Sequence, residues 1–360
     1  MRWSAWFQSV AVGSLPFLSG PLQAATLNGA DQSLLQQARQ LFQPLPANMA
    51  TPAYSLTPAL VALGRDLFFD PRISLDGTVS CAKCHQPALY GTDGLAKAIG
   101  VKDRLNPRNA PTVLNAALQI AAHWRGDRKD VEDQATQALV GPPSYGNPDY
   151  RAALDKLTAI PGYPPLFQQA FPGEENPVTP QNWGRAIGAY ERTLVTPSPF
   201  DAYLQGDSGA LSLTSRNGLR DFIAVGCASC HNGVGVGGGM FAKFGITEPY
   251  WKATGSQEMD KGRIDVSKNP ADLYVFKVPG LRNVAMTAPY FHDGSVATLP
   301  EAVRVMAKVQ LGRELTGQQV KDIVGFLDSL TGPLPKDFAE APLLPPAAFP
   351  GARQSGLSLD

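Results

Sequence analysis

The chain carries little charge and no excess of either sign. Only 17% of its 360 residues are Asp, Glu, Lys or Arg, and basic and acidic residues number 31 each. Such a balance offers no electrostatic footprint for nucleic acid or an anionic surface as main partner. Long apolar runs are missing beyond the N-terminus, so no internal segment reaches the ~20 residues that span a bilayer. Cysteine and histidine number only four each, which makes their placement informative. What the chain does have is 44% apolar residues, a globular composition with length for two ordinary domains. Its 35 glycines and 32 prolines predict much ordered loop.

The N-terminus, "MRWSAWFQSVAVGSLPFLSGPLQAATL", has an early charge at Arg2, an apolar stretch, and small residues at Ala24 and Ala25. This pattern reads as an export signal over residues 1–24. Pro16 and Pro21 interrupt the stretch too early for an anchor helix. The mature protein is expected to be soluble and periplasmic, with no membrane span.

All four cysteines and two of the histidines fall into two copies of one pattern. "SCAKCH" places Cys81, Cys84 and His85, and "GCASCH" places Cys227, Cys230 and His231. Disulfides across two-residue gaps would close short, strained loops and leave the histidines unexplained. A zinc site drawing on both pairs would leave a histidine over. Cys-x-x-Cys-His is instead the pattern of c-type haem attachment. Each cysteine adds to a haem vinyl group, and the adjacent histidine becomes the proximal iron ligand. Two covalently bound haem c groups are therefore expected.

The motifs divide the chain into two cytochrome c-like halves in a mainly α fold with many ordered loops. The expected N-terminal domain spans 27–173, a linking helix 174–196, the C-terminal domain 197–332 and a surface-wrapping tail 333–360. In "SLTPALVALGRDLFFDP", Leu56, Leu60, Leu63 and Leu67 recur at helical spacing, and Pro71 stops the run. "LTSRNGLRDFIAVGC" reads as the helix leading into the second motif. "LTGQQVKDIVGFLDSLTG" puts Val320, Ile323, Val324 and Leu327 on one face, with Thr316 as N-cap and Gly332 as stop.

With these blocks in place, the chain resembles the bacterial di-haem cytochrome c peroxidases and the related MauG-like enzymes. The likeness runs from about Leu63 to Gly332. It rests on "LFFDPRISLDGTVSCAKCH", "RNAPTVLN", "YERTLVTPSPFDAYL", "GCASCHNG", "FKVPGLRNVAMTAPYFHDGSVATLPEAV" and "IVGFLDSLTG". The resemblance implies that the C-terminal haem receives electrons and has His231 and Met306 as axial ligands. Methionine on iron raises the potential, which suits that role. Met240 and Met286 are the rival candidates. It further implies Trp124 as the indole between the haems and His292 near the haem propionates. Asn109, Thr287 and Pro289 match a calcium site of oxygen ligands. Gln134 matches the glutamine over the open haem face. The implied partners are hydrogen peroxide and a small donor cytochrome c or cupredoxin, and family members commonly form homodimers.

Two departures stand out. Where many relatives carry a histidine that caps the first haem, this chain has "AIGVKD" with Val101. Valine cannot ligate iron, so the first haem is expected to be open; His123 is the other histidine that could reach it. Where the family places a distal glutamate, the ungapped register puts Ser144, with Asp149 or the remoter Glu132 as alternatives. The leading expectation is a periplasmic peroxidase. The alternatives are a MauG-like oxidase that modifies a partner protein, and an electron carrier or redox sensor without catalysis. Methionine at 306 argues against the second, whose best-known type has tyrosine there.

Overall fold

The computed structural model describes residues 29–347 together with Met1. Apart from Met1, the expected signal segment 1–24 lies outside the described residues, as does the end of the tail. Among its helices are α1 (Gly29–Leu41), α2 (Pro58–Phe69), α3 (Val131–Ala138), α4 (Pro180–Glu191), α5 (Leu213–Val225), α6 (Leu299–Leu311) and α7 (Gly317–Asp328). Among the described residues, sheet is limited to β1 (Phe241–Lys243) paired antiparallel with β2 (Val275–Lys277), in a register that sets Phe241 opposite Lys277.

Local chemistry explains the helix ends. Thr57 caps α2 by accepting from the Leu60 N–H, and Pro58 occupies the first turn, where its missing donor costs nothing. Thr316 and Gln319 form a reciprocal capping box at the start of α7. Gly226, at φ 111°, ends α5 in the left-handed region and turns the chain into the second motif.

Two cores form. The first packs α2, α3 and α4 around Leu63, Leu67, Phe68, Trp183 and Ile187. The second packs α1, α5, α6 and α7 around Phe42, Phe222, Val305, Ile323 and Phe326. Each fully buried large apolar side chain contributes about 1.5–3 kcal/mol of transfer free energy. Both cores depend on a glycine where helices meet. A Cβ on Gly64 would lie 1.8 Å from the Ala186 carbonyl oxygen, and one on Gly218 would lie 1.8 Å from that of Asp322.

These cores cut the chain differently from the expected boundaries. Helix α1 precedes the first motif yet packs in the second core, through Leu34, Leu35 and Ala38. Helix α4 is no connector: Trp183, Ala186 and Ile187 are fully buried in the first core, and the helix caps at Arg192, before Pro197. The tail returns to the first core, where Phe338 is 0% exposed and Arg65 holds the Asp337 and Glu340 carbonyls at 2.7 Å each. Gly332 is not a helix stop, since α7 caps at Ser329. It permits close approach instead: an added Cβ would meet the Thr196 carbonyl oxygen at 2.3 Å.

Candidate haem sites and the seam between them

The second motif follows α5 as a 3-10 turn, Cys227–Ser229, in which the His231 N–H bonds the Cys227 carbonyl at 3.0 Å. Cys227, Cys230 and His231 line a cavity of about 240 Å³. Ile323 and Leu327 of α7 form part of its wall, as does Met306 of α6. The structure thus brings His231 and Met306 to one space, whereas Met240 and Met286 are 38% and 47% exposed. Burial pulls the His231 imidazole down to about 4, against the opposing effect of the Pro279 and Val236 carbonyls. At neutral pH the ring is uncharged, the form that binds a metal. Its Nδ1 is buried without a hydrogen-bond partner. Gly237, at φ 123°, lies against it: a Cβ there would sit 3.0 Å from Nδ1 and 2.2 Å from the Pro279 oxygen.

The first motif is a helical turn, Cys81–Cys84, closed by the His85 N–H on the Cys81 carbonyl at 2.9 Å. His85 Nδ1 lies 3.0 Å from the Gly91 carbonyl oxygen. A proton on Nδ1 would be donated there, orienting the ring and leaving Nε2 free to bind a metal. Burial pulls this imidazole down to about 4 as well, with the Gly91 carbonyl opposing and His123 adding slightly. Burial pushes the Cys81 thiol up to about 12, and those of Cys84 and Cys227 to about 11. These are protonated thiols rather than thiolate ligands, and none of the four cysteines is in a disulfide. Among the described residues, no three His, Cys, Asp or Glu side chains are grouped to hold a metal ion. Paired cysteines beside a neutral imidazole, facing an apolar cavity at the second motif, fit covalently attached haem.

Of the distal candidates, Val101 and Ser144 come together. Val101 is fully buried, and its N–H bonds the Ser144 carbonyl at 3.2 Å. The two loops touch closely, since a Cβ on Gly100 would meet the Pro143 oxygen at 1.8 Å. The 99–100 backbone also borders the first motif, through Cys84 Sγ near the Ile99 carbonyl and Lys83 Nζ near that of Gly100. Gln134 sits half-buried on α3. Asp149 is exposed and caps the helix Tyr150–Thr158, accepting the Ala152 N–H at 2.8 Å. Glu132 is held by Arg192 at 2.6 and 3.0 Å in a buried pair. Both carboxylates are committed elsewhere.

Sequence reasoning missed two neighbours of the first motif. Tyr145, 2% exposed, places its hydroxyl 3.5 Å from Cys81 Sγ. Glu191, 4% exposed, is pushed up to about 8 by burial and by the Glu132 charge, with Arg192 opposing, and its field reaches Cys81. No spacing rule marks either one.

Between the motifs, Trp124 lines the His231 cavity and donates its indole N–H to the Asn109 carbonyl at 3.0 Å. Asn109, Thr287 and Pro289 border the same cavity. Asn109 Nδ2 donates to the Leu95 carbonyl at 2.8 Å. His292 is 2% exposed, its ring centroid 6.4 Å from that of Trp124, and its Nε2 makes no hydrogen bond but lies 3.8 Å from an Asp260 carboxylate oxygen. His123 turns instead toward Asp127, at 3.4 Å.

A helical fold with two Cys-x-x-Cys-His turns, each carrying a neutral imidazole, defines a c-type redox protein. The comparisons narrow that class. A family profile described as "Di-haem cytochrome c peroxidase" matches residues 58–209. Cytochrome c551 peroxidase of Pseudomonas aeruginosa is 40% identical over 333 residues, covering 92% of this chain and 95% of the relative. Methylamine utilization protein MauG of Methylorubrum extorquens is 33% identical over 330 residues, covering 86% and 91%. A crystal structure of a MauG-like protein associated with microbial copper homeostasis superposes with a TM-score of 0.71 at 27% identity, covering 83% of this chain and 95% of that one. The chain belongs to the di-haem cytochrome c peroxidase family and is an oxidoreductase of that kind.

Proposed function

We propose that this protein is a periplasmic peroxidase that reduces hydrogen peroxide to water with electrons from a small cytochrome c or cupredoxin. One contrast carries the reading. A thioether, Met306, shares the cavity of His231, while the loop beside the first motif presents a buried valine, Val101, that cannot ligate iron. One site is built to be closed and the other to stay open.

Haem bound at each motif supplies an iron that exchanges single electrons, and the two-electron reduction of peroxide calls for both centres. The residues of the chain do the rest. Cys81 and Cys84 would hold one group and Cys227 and Cys230 the other, with His85 and His231 as the residues that would bind iron. Trp124 is held at the seam by bonds at both its indole and its backbone. Gln134 and Ser144 are the polar groups assigned to peroxide; Asp149 caps a helix and Glu132 is paired with Arg192. Asn109 Oδ1 and the Thr287 and Pro289 carbonyls would hold one calcium ion; chelation that leaves activity and stability untouched would remove that assignment. The signal-like N-terminus supports export, and no helix among the described residues is long and apolar enough to cross a membrane.

Assays of the holoprotein with generic reduced donors test the reading, which expects sustained peroxide-dependent oxidation. Peroxide consumption seen only with one particular protein substrate would favour the MauG-like alternative. No consumption at all would leave a carrier or sensor.

A further inference from the structure

Lys277 is a buried cation without a counter-charge. It ends β2, is 5% exposed and lines the cavity shared by His231 and Met306. Its Nζ donates to Oε1 of Gln119, which reaches across from the other side of the seam. Its backbone N–H bonds the Trp124 carbonyl at 2.8 Å. No Asp or Glu among the described residues lines this cavity. The other strong base on its wall, Arg282, is neutralised by Asp201 at 2.8 and 2.9 Å. Nothing comparable serves Lys277: burial alone acts on it and pulls the ammonium down to about 8.

An ammonium taken out of water is costly to the fold unless an anion and further acceptors meet it. Gln119 satisfies one N–H and brings no charge. The balancing anion must therefore come with whatever fills the cavity. That occupant has to be apolar over most of its surface, to match walls such as Phe222, Ile323 and Leu327, and anionic at the end facing β2. Haem has that construction, an apolar macrocycle with two carboxylates on one edge.

Resting on the haem reading above, we propose that Lys277 anchors a propionate carboxylate of the haem attached at Cys227 and Cys230. In this position it is the fixed positive charge that holds the potential of that centre up. A nearby cation favours the reduced iron, which carries one positive charge fewer, so removing the cation favours the oxidised form. Lys277 is a positioning and tuning residue rather than a catalytic one.

The test is an equilibrium redox titration of the holoprotein, following the spectrum of the His231 centre, in wild type, Lys277→Met and Lys277→Arg. At a fixed ambient potential, Lys277→Met is expected to lower the ratio of reduced to oxidised iron about tenfold, which is 59 mV for one electron. Lys277→Arg keeps the charge and is expected to stay close to wild type. A Lys277→Met protein with the wild-type ratio would overturn the proposal, as would an arginine variant shifted as far as the methionine one. If the methionine variant fails to load haem, normal loading of the arginine variant at the wild-type potential supports the proposal, and failure of both overturns it. Mass measurement of the wild-type protein separates the two levels: absence of haem on Cys227 and Cys230 removes the haem reading itself.

Discussion

Trp124 donates its indole N–H to the carbonyl oxygen of Asn109 at 3.0 Å. Its own carbonyl accepts the Lys277 N–H at 2.8 Å, so the residue is pinned from the first-motif side and from β2 at once. Replacing it by phenylalanine keeps an aromatic ring but strands a buried carbonyl, which costs about 1–3 kcal/mol. Trp124→Phe is expected to lower the unfolding temperature modestly. It should also slow donor-driven turnover while leaving the first reaction with peroxide intact. Thermal unfolding and stopped-flow absorbance check the two halves of this prediction.

Met306 and Met286 offer a paired test of the second site. Met306 faces the cavity of His231, while Met286 is 47% exposed. Thioether ligation raises the potential of a histidine-ligated haem. Met306→Ala is expected to drop the potential of that centre and change its absorption spectrum; Met286→Ala is expected to change neither. Redox titration of both variants decides between them.

Glu132 was an alternative for the distal acid, and the structure gives it other work. Its carboxylate takes two bonds from Arg192, whose guanidinium also lies 4.4 Å over the Tyr54 ring. Removing one partner of such a buried pair costs about 3–5 kcal/mol, because the other charge is left uncompensated. Glu132→Ala should therefore lose stability in denaturant titrations, while peroxidase activity per folded molecule is retained. A stable but inactive variant would return Glu132 to the catalytic list.

Glu191 makes stability depend on pH in a direction that can be worked out. Burial raises its folded value to about 8 from an ordinary 4.5. Between those values the folded protein keeps a proton that the unfolded chain has released. Stability falls as pH rises through that window, by at most about 1.4 kcal/mol per pH unit, and levels off above it. Glu191→Gln cannot ionise, so its denaturant midpoints should follow a flatter profile over the same range. Parallel profiles for both proteins would contradict the assignment.

What could be read from the sequence was what is encoded locally. The two motifs are contiguous, so covalent spacing alone identified them, and α2, α5 and α7 show their helical period and caps within a dozen residues. Membership of a core is not local. The apolar face of α1 looks the same whichever partner it meets, and only the fold shows that Leu34 and Ala38 join Phe200 and Phe326. Glu191 and Arg192 are both buried where α3 meets α4, and Gly188 makes room for Glu132 there, none of which is encoded locally. Lys277 was hidden for the same reason. A lysine in a short β segment gives no sign that its ammonium faces an apolar cavity without a carboxylate.

The most direct test of the whole account is the steady rate of peroxide-dependent oxidation of a reduced small cytochrome c by the oxidised enzyme, without prior reduction. With Val101 buried beside the first motif and no histidine in its place, the account predicts full turnover from the first seconds. Turnover that appears only after half-reduction would contradict the open site, and none under either condition would contradict the peroxidase itself.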